Sequence, residues 1–147
     1  MPEYIRKAEK KDLSRIGEIL VFVKRVKFRP IFKDDDFSFN ALQVLTVAEE
    51  YEKYLDKIYV YDDGIVKGLI HIEGEEVKEL YVDYFFWDQG IGSKLLEFAI
   101  ENFDVKFLWA LEKNSEAIRF YERHGFRLSD NRKFEEDTPE YLVMMKR

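Results

Sequence analysis

The sequence predicts a mixed α+β fold, one mixed sheet with helices on both faces. Three observations carry that expectation: three strand-like segments in a row joined by glycine turns, a switch to helical apolar spacing at Gly90, and a continuous apolar run at residues 105–111 beyond that helix. Tight turns join antiparallel strands, whereas a strand reached through a helix pairs parallel, so the sheet contains both directions.

The elements follow in order. Residues 4–8 alternate like a short strand. Asp12 then precedes Leu13, Ile16, Ile19, Leu20 and Val23, apolar at helical spacing behind a capping residue, which predicts a helix over residues 12–26. Pro30 and the acidic cluster Asp34-Asp35-Asp36 break this pattern, and a second helical stretch falls within residues 39–55. Residues 58–61 run into Asp62-Asp63-Gly64, whose residue types tolerate the positive φ of a hairpin turn; residues 65–72 return, and a turn at Gly74 leads into residues 77–82. From Gly90, residues Ile91, Leu95, Leu96, Ala99 and Ile100 share one helical face. The apolar run 105–111 reads as a buried strand parallel to 77–82. Asn114 caps a helix carrying Ala117, Ile118, Phe120 and Tyr121 and closed by Gly125, and strands at 126–134 and 141–145 complete the order β-α-α-β-β-β-α-β-α-β-β.

At 147 residues the chain is expected to form a single domain, 1–147, with no internal repeat or linker. The absence of cysteine excludes disulfides, thiolate metal sites and a cysteine acyl-enzyme, and two well-separated histidines, His71 and His124, make a metal site an unexpected feature. A net charge of −6 speaks against a dedicated nucleic-acid binder. The start Met1-Pro2-Glu3-Tyr4-Ile5-Arg6 runs directly into a strand pattern and no apolar run approaches the roughly 20 residues of a membrane span, so a cytoplasmic protein without membrane association is expected.

The segment from Val82 through Trp87, Asp88, Gln89, Gly90, Ile91, Gly92 and Ser93 leaves a strand and enters a helix. Glycines there let a ligand approach the backbone, and the unpaired N–H groups of a helix start carry partial positive charge suited to phosphate, with Ser93 as a further donor and Lys94 as a nearby cation. Alone, the same turn is also what a tight strand-to-helix connection needs for steric reasons. A second cluster lies one strand further on: Asn114, Ala117, Phe120-Tyr121 and Gly125-Phe126, in the spacing N-x-x-A-x-x-F-Y-x-x-x-G-F.

Together the two segments resemble the GNAT superfamily of N-acetyltransferases. Residues 77–100 are similar to its motif A, with an arginine-or-glutamine-x-x-Gly-x-Gly-or-Ala pyrophosphate loop, and residues 114–126 to its motif B; the element order is also the family's. One position departs: Trp87 stands where the family has arginine or glutamine. The resemblance implies a GNAT-like acyl-CoA N-acyltransferase fold with a splayed parallel strand pair at the cofactor cleft. It implies acetyl-CoA as cosubstrate, held by Leu80, Tyr81 and Val82 along the pantetheine arm, by the loop Trp87 to Lys94, and by Asn114. A primary amine of a small molecule or protein would accept the acetyl group directly, without metal. Homodimerisation is left open.

Tyr121 is the expected acid, since a phenol of pKa about 10 is well matched to a departing thiolate. For the base, Glu76 is placed first and Glu79 second, the latter if a bulge turns the strand; by strict alternation Glu79 shares a face with Val77 and Tyr81, opposite Glu76 and Lys78. Both carboxylates are also what a solvated strand end carries. His71 reads as a satisfied sheet histidine. Acceptor specificity is expected from residues 28–54 and from Phe134-Glu135-Glu136-Asp137, whose acids suit a cationic amine. The alternative function is a non-catalytic acyl-CoA sensor or scaffold.

Overall fold

The computed structural model describes residues 3–135 and 138–147. Its elements are β1 (Ile5–Lys7), α1 (Leu13–Phe32), α2 (Val44–Tyr51), β2 (Ile58–Asp62), β3 (Val66–Glu73), β4 (Glu76–Val82), α3 (Ile91–Phe103), β5 (Phe107–Leu111), α4 (Ser115–Arg123), β6 (Arg127–Phe134) and β7 (Tyr141–Lys146). Among the described residues the strands form one mixed sheet in the order β1-β2-β3-β4-β5-β7-β6. Only β4 and β5 pair in parallel, as the intervening helix requires.

Period-two alternation divides the core between the two faces. Ile70, Ile72 and Val77 pack with Leu95, Leu96 and Phe98 of α3 and with Phe126, while Val60 and Leu69 pack with Ile16, Leu20 and Val23 of α1 and Val47 of α2. Leu95 and Leu96 are fully buried, each a gain of about 1.5–3 kcal/mol relative to exposure. Gly68 draws α3 close to the sheet: a β-carbon there would sit 3.0 Å from the Tyr81 carbonyl and 3.2 Å from both Ile91 and Leu95 side chains.

One local expectation is corrected. The helix predicted to stop near residue 26 continues through Pro30 to Phe32 and closes at Lys33 with φ of 54° and an N–H bond to the Arg29 carbonyl. Proline in a last turn forfeits a single helical hydrogen bond, and the ring contacts Phe28–Phe32 at 5.7 Å and Phe32–Phe37 at 5.2 Å hold the extension in place. The second helical stretch, expected within residues 39–55, is α2, preceded by a π turn (Asp36–Ala41) and followed by a 3-10 segment (Glu52–Lys57).

The register of β4 carries the most consequence. Against β3, His71 pairs with Glu79 but Ile72 pairs with Val77, so Lys78 is an extra, bulged residue. Val77, Leu80 and Val82 therefore pack on the α3 side, whereas Tyr81 packs on the α1/α2 side. Val77 and Tyr81 do not share a face, contrary to strict alternation; Glu79 and Tyr81 instead share theirs with Glu76. Against β5, β4 is in register only at Glu76–Phe107 and Val77–Leu108. Beyond these two pairs the strands part.

Candidate active site

The parting of β4 from β5 opens a cavity of about 1240 Å³ that crosses the sheet, larger than the roughly 300–1,000 Å³ that encloses a drug-sized ligand. Backbone directions along β4 follow from one bond: the Asp83 N–H donates to the Lys67 carbonyl at 2.8 Å. Antiparallel alternation then aims Tyr81 and Glu79 main-chain groups at β3, and those of Leu80 and Val82 into the gap.

One end of the cavity is the glycine turn. Asp83 anchors it, through an ion pair with Arg15 of α1 at 2.6 Å and by accepting the Phe85 N–H at 2.9 Å. Asp88 and Gly90 both take left-handed φ values, 64° and 78°. Gly90 is the N-cap of α3 and supplies no side-chain cap, so the N–H groups of Ile91, Gly92 and Ser93 have no helical partner and point outward with the positive end of the helix dipole. Trp87 does not point away from the site: its Nε1–H donates to the Val82 carbonyl at 2.6 Å. Trp87, Asp88, Gly90, Ile91, Gly92 and Ser93 all line the cavity. Gln89 and Lys94 are not part of its wall; the Lys94 ammonium lies 5.8 Å from the Tyr61 ring.

α4 forms the opposite wall. Asn114 Oδ1 accepts the Ala117 N–H at 3.2 Å and so caps the helix, with its residue lining the cavity as well. That cap sets the rotation at which Tyr121 reaches the cavity, packed 5.3 Å from the Phe120 ring and 6.0 Å from Phe126. Burial raises the Tyr121 phenol above its ordinary value, so it stays protonated at neutral pH and is a proton donor. His124 is turned away, with Nδ1 2.9 Å from the Phe120 carbonyl.

The other end collects polar groups on the α1/α2 face. The Tyr51 hydroxyl donates to Glu79 Oε1 at 2.5 Å, leaving Glu79 Oε2 buried without a hydrogen-bond partner among the described residues. His71, directly across the ladder, has its Nε2 in the same condition, with Glu73 Oε1 at 3.7 Å. The expectation of a satisfied sheet histidine is thus corrected. Burial lowers the His71 pKa and keeps the ring neutral. Tyr81 stands between these groups and Tyr121, its phenol raised by burial first and then by the charge of Glu79. Glu76, Phe134 and Glu135 also line the cavity; Glu136 and Asp137, assigned with them to acceptor recognition, lie outside the described residues.

The acetyltransferase (GNAT) domain family matches residues 42–128, from the start of α2 to the start of β6. The chain belongs to the GNAT acetyltransferase family. Solved structures agree on the fold across the whole length of this GNAT chain. Apo YjaB from Escherichia coli is 18% identical with a TM-score of 0.75, covering 97% of this chain and 95% of its own. The PaiA N-acetyltransferase from Thermoplasma acidophilum, solved with coenzyme A, is 19% identical with a TM-score of 0.71 and full coverage, 100% of both chains. YncA from Salmonella typhimurium, solved with acetyl-CoA, is 19% identical with a TM-score of 0.69, covering 97% and 91%. Among the described residues no cluster of three metal-ligating side chains occurs, and no helix is long and apolar enough to cross a membrane.

One site feature of this GNAT chain, Tyr51, escaped the sequence reading, and another, the bulge, entered it only as a condition. The bulge had a visible sign: Val77 and Leu80 are three apart, where alternation keeps apolar residues two apart. Tyr51 had none, because it reaches Glu79 across 28 residues of chain.

Proposed function

We propose that this chain is an acetyl-CoA-dependent N-acetyltransferase that passes the acetyl group directly to a primary amine. The observation that carries the reading is a single cavity with a phosphate-binding helix start at one end, a protonated phenol in its wall and an unpartnered buried carboxylate oxygen at the other. Residues fit coenzyme A on geometry: open N–H groups at Ile91, Gly92 and Ser93 suit its diphosphate, and the main-chain groups of Leu80 with the Val82 N–H, its carbonyl being taken by Trp87, suit the amides of its pantetheine arm in the manner of an added strand. Asn114 and Tyr81 complete the walls, with Asp88, Gln89 and Lys94 shaping the turn.

An acceptor arriving as an ammonium loses a proton before attack. Glu79 is the better placed carboxylate, because the residue lines the cavity, its buried Oε2 lacks a partner among the described residues, and the Tyr51 hydroxyl on Oε1 keeps the group oriented. Glu76 is the second candidate, one bulge away on the same face. The neutral amine attacks the thioester carbonyl, and the carbonyl oxygen takes negative charge that the Val82 N–H is directed to stabilise, a role worth about 3–4 kcal/mol. Collapse breaks the carbon–sulfur bond as Tyr121 protonates the departing sulfur; the proton that the attacking nitrogen sheds on becoming an amide returns to the phenol, and Glu79 releases the ammonium proton to water.

Thiol release from acetyl-CoA across a panel of primary amines tests the reading. Tyr121→Phe is expected to lower kcat about 100-fold with acetyl-CoA affinity retained, and Glu79→Gln to lower it about as far, with a larger loss than in Glu76→Gln. Binding of acetyl-CoA with no amine turned over would favour the sensor function instead. No binding at millimolar acetyl-CoA would remove both.

A further inference from the structure

The turn at Trp87 lacks the charged or amide side chain of its family pattern, yet a cation reaches the same place from another element. Lys27, in the last third of α1, sets Nζ 4.4 Å from the centroid of the Trp87 ring. The ring is fixed by its bond to the Val82 carbonyl. The same Nζ is 2.5 Å from Glu116 Oε2 in the first turn of α4. Because α1 packs on one face of the sheet and the apolar side of α4 on the other, this pair bars the mouth of the gap between β4 and β5. Lys27, Trp87 and Glu116 all line the cavity.

We propose that Lys27 supplies, from α1, the positive charge that the turn itself does not carry, and that its ammonium passes from Glu116 to the diphosphate of coenzyme A on binding. The inference rests on the coenzyme A reading above. Glu116 is a weak competitor: its side chain is 69% exposed, and exposed pairs contribute about 0–1 kcal/mol. A diphosphate brings more charge, and it meets the helix start at the same time. The Trp87 face holds the ammonium on either side of the exchange. Of the neighbouring cations, Arg15 pairs with Asp83, Lys67 with Asp63 and Lys94 lies over Tyr61, while Lys24, Arg119 and Arg123 line the cavity without touching the Trp87 ring.

Calorimetric titration with coenzyme A and with dephospho-coenzyme A, which keeps the diphosphate and lacks the ribose phosphate, tests this. Lys27→Met is expected to bind both ligands about tenfold more weakly than wild type, with the difference shrinking at high salt, and Lys27→Arg to restore most of the loss. Glu116→Gln, freed of the competing carboxylate, is expected to bind about two- to fivefold more tightly. Equal affinity of Lys27→Met and wild type overturns the inference, as does weaker binding by Glu116→Gln. A Lys27→Met loss confined to coenzyme A overturns it too, by assigning Lys27 to the ribose phosphate. Wild-type protein that binds neither ligand overturns the coenzyme A reading itself, and thermal melts of each variant separate lost binding from lost fold.

Discussion

Gly90 and Gly92 stand two residues apart and answer different constraints. At Gly90 the backbone φ of 78° is the reason for glycine, since the space around an added β-carbon is empty. Gly90→Ala is expected to cost about 1 kcal/mol, seen as a fall of about 2–4 °C in the melting temperature. At Gly92 the backbone is ordinary helix, and a β-carbon would meet Phe120 at 3.5 Å and Val82 at 3.6 Å, normal packing distances. The fold therefore tolerates alanine there, and what the methyl group obstructs is a ligand's approach. Gly92→Ala is expected to melt no lower than wild type and to bind coenzyme A more weakly; equal affinity in titration would show that ligand approach does not require this glycine. Both glycines and the Asn114 cap were legible in the sequence because their constraints are local. Tyr51, Lys27 and Trp87's bond to Val82 were not, because each depends on elements brought together only by the register of the sheet.

At the level of elements, the start of the chain is fastened by charge. Arg6 of β1 bonds both oxygens of Asp12, at 2.8 and 2.9 Å, and reaches Asp62 at the end of β2 at 2.9 Å. Asp12 is buried, and the Arg6 hydrogen bonds hold its carboxyl below the usual carboxylate range. Its folded pKa lies below an unfolded value of about 3.9, so the stabilisation is fully present above that value and is lost as pH falls through the folded one. Asp12→Asn is expected to lose about 1.5–3 kcal/mol at neutral pH and to show a flatter decline in stability below pH of about 4 in denaturant titrations at stepped pH. The sequence marked Asp12 as the cap of the first helix, but it makes no side-chain bond to the start of α1; beside its pairing with Arg6 it accepts the Glu9 N–H at 2.8 Å, closing the 3-10 turn that precedes α1. The order of elements was readable from periodicity alone. Where α1 ends was not: proline in a terminal turn and proline after a helix leave the same local pattern, and only the Phe28, Phe32 and Phe37 contacts decide between them.

For the molecule as a whole, ligand binding and stability are one quantity. Coenzyme A at 100 times its dissociation constant adds about 2.7 kcal/mol if it binds only the folded state, which raises the melting temperature of a chain this long by about 5–10 °C. A scan of melting temperature against ligand concentration measures this, and an unchanged value at saturating ligand would contradict the proposed site. Residues of both segments that the sequence singled out, 77–100 and 114–126, line the cavity. The splay of β4 from β5 came from the family resemblance and not from periodicity, and the structure adds where it begins, beyond the pairs Glu76–Phe107 and Val77–Leu108.

That short seam has a kinetic consequence. Amides in mid-sheet normally exchange their protons with water only when the whole domain opens. Here Leu80 and Val82, inside the fourth of seven strands, direct their main-chain groups at a solvent-filled gap, so they are expected to take up deuterium as quickly as a loop while Leu69 and Ile70 on the adjoining strand stay dark. An extended molecule lying along the gap would silence that island and leave the rest of the sheet unchanged. Deuterium uptake at two amides thereby becomes a readout of occupancy that requires neither turnover nor knowledge of the acceptor.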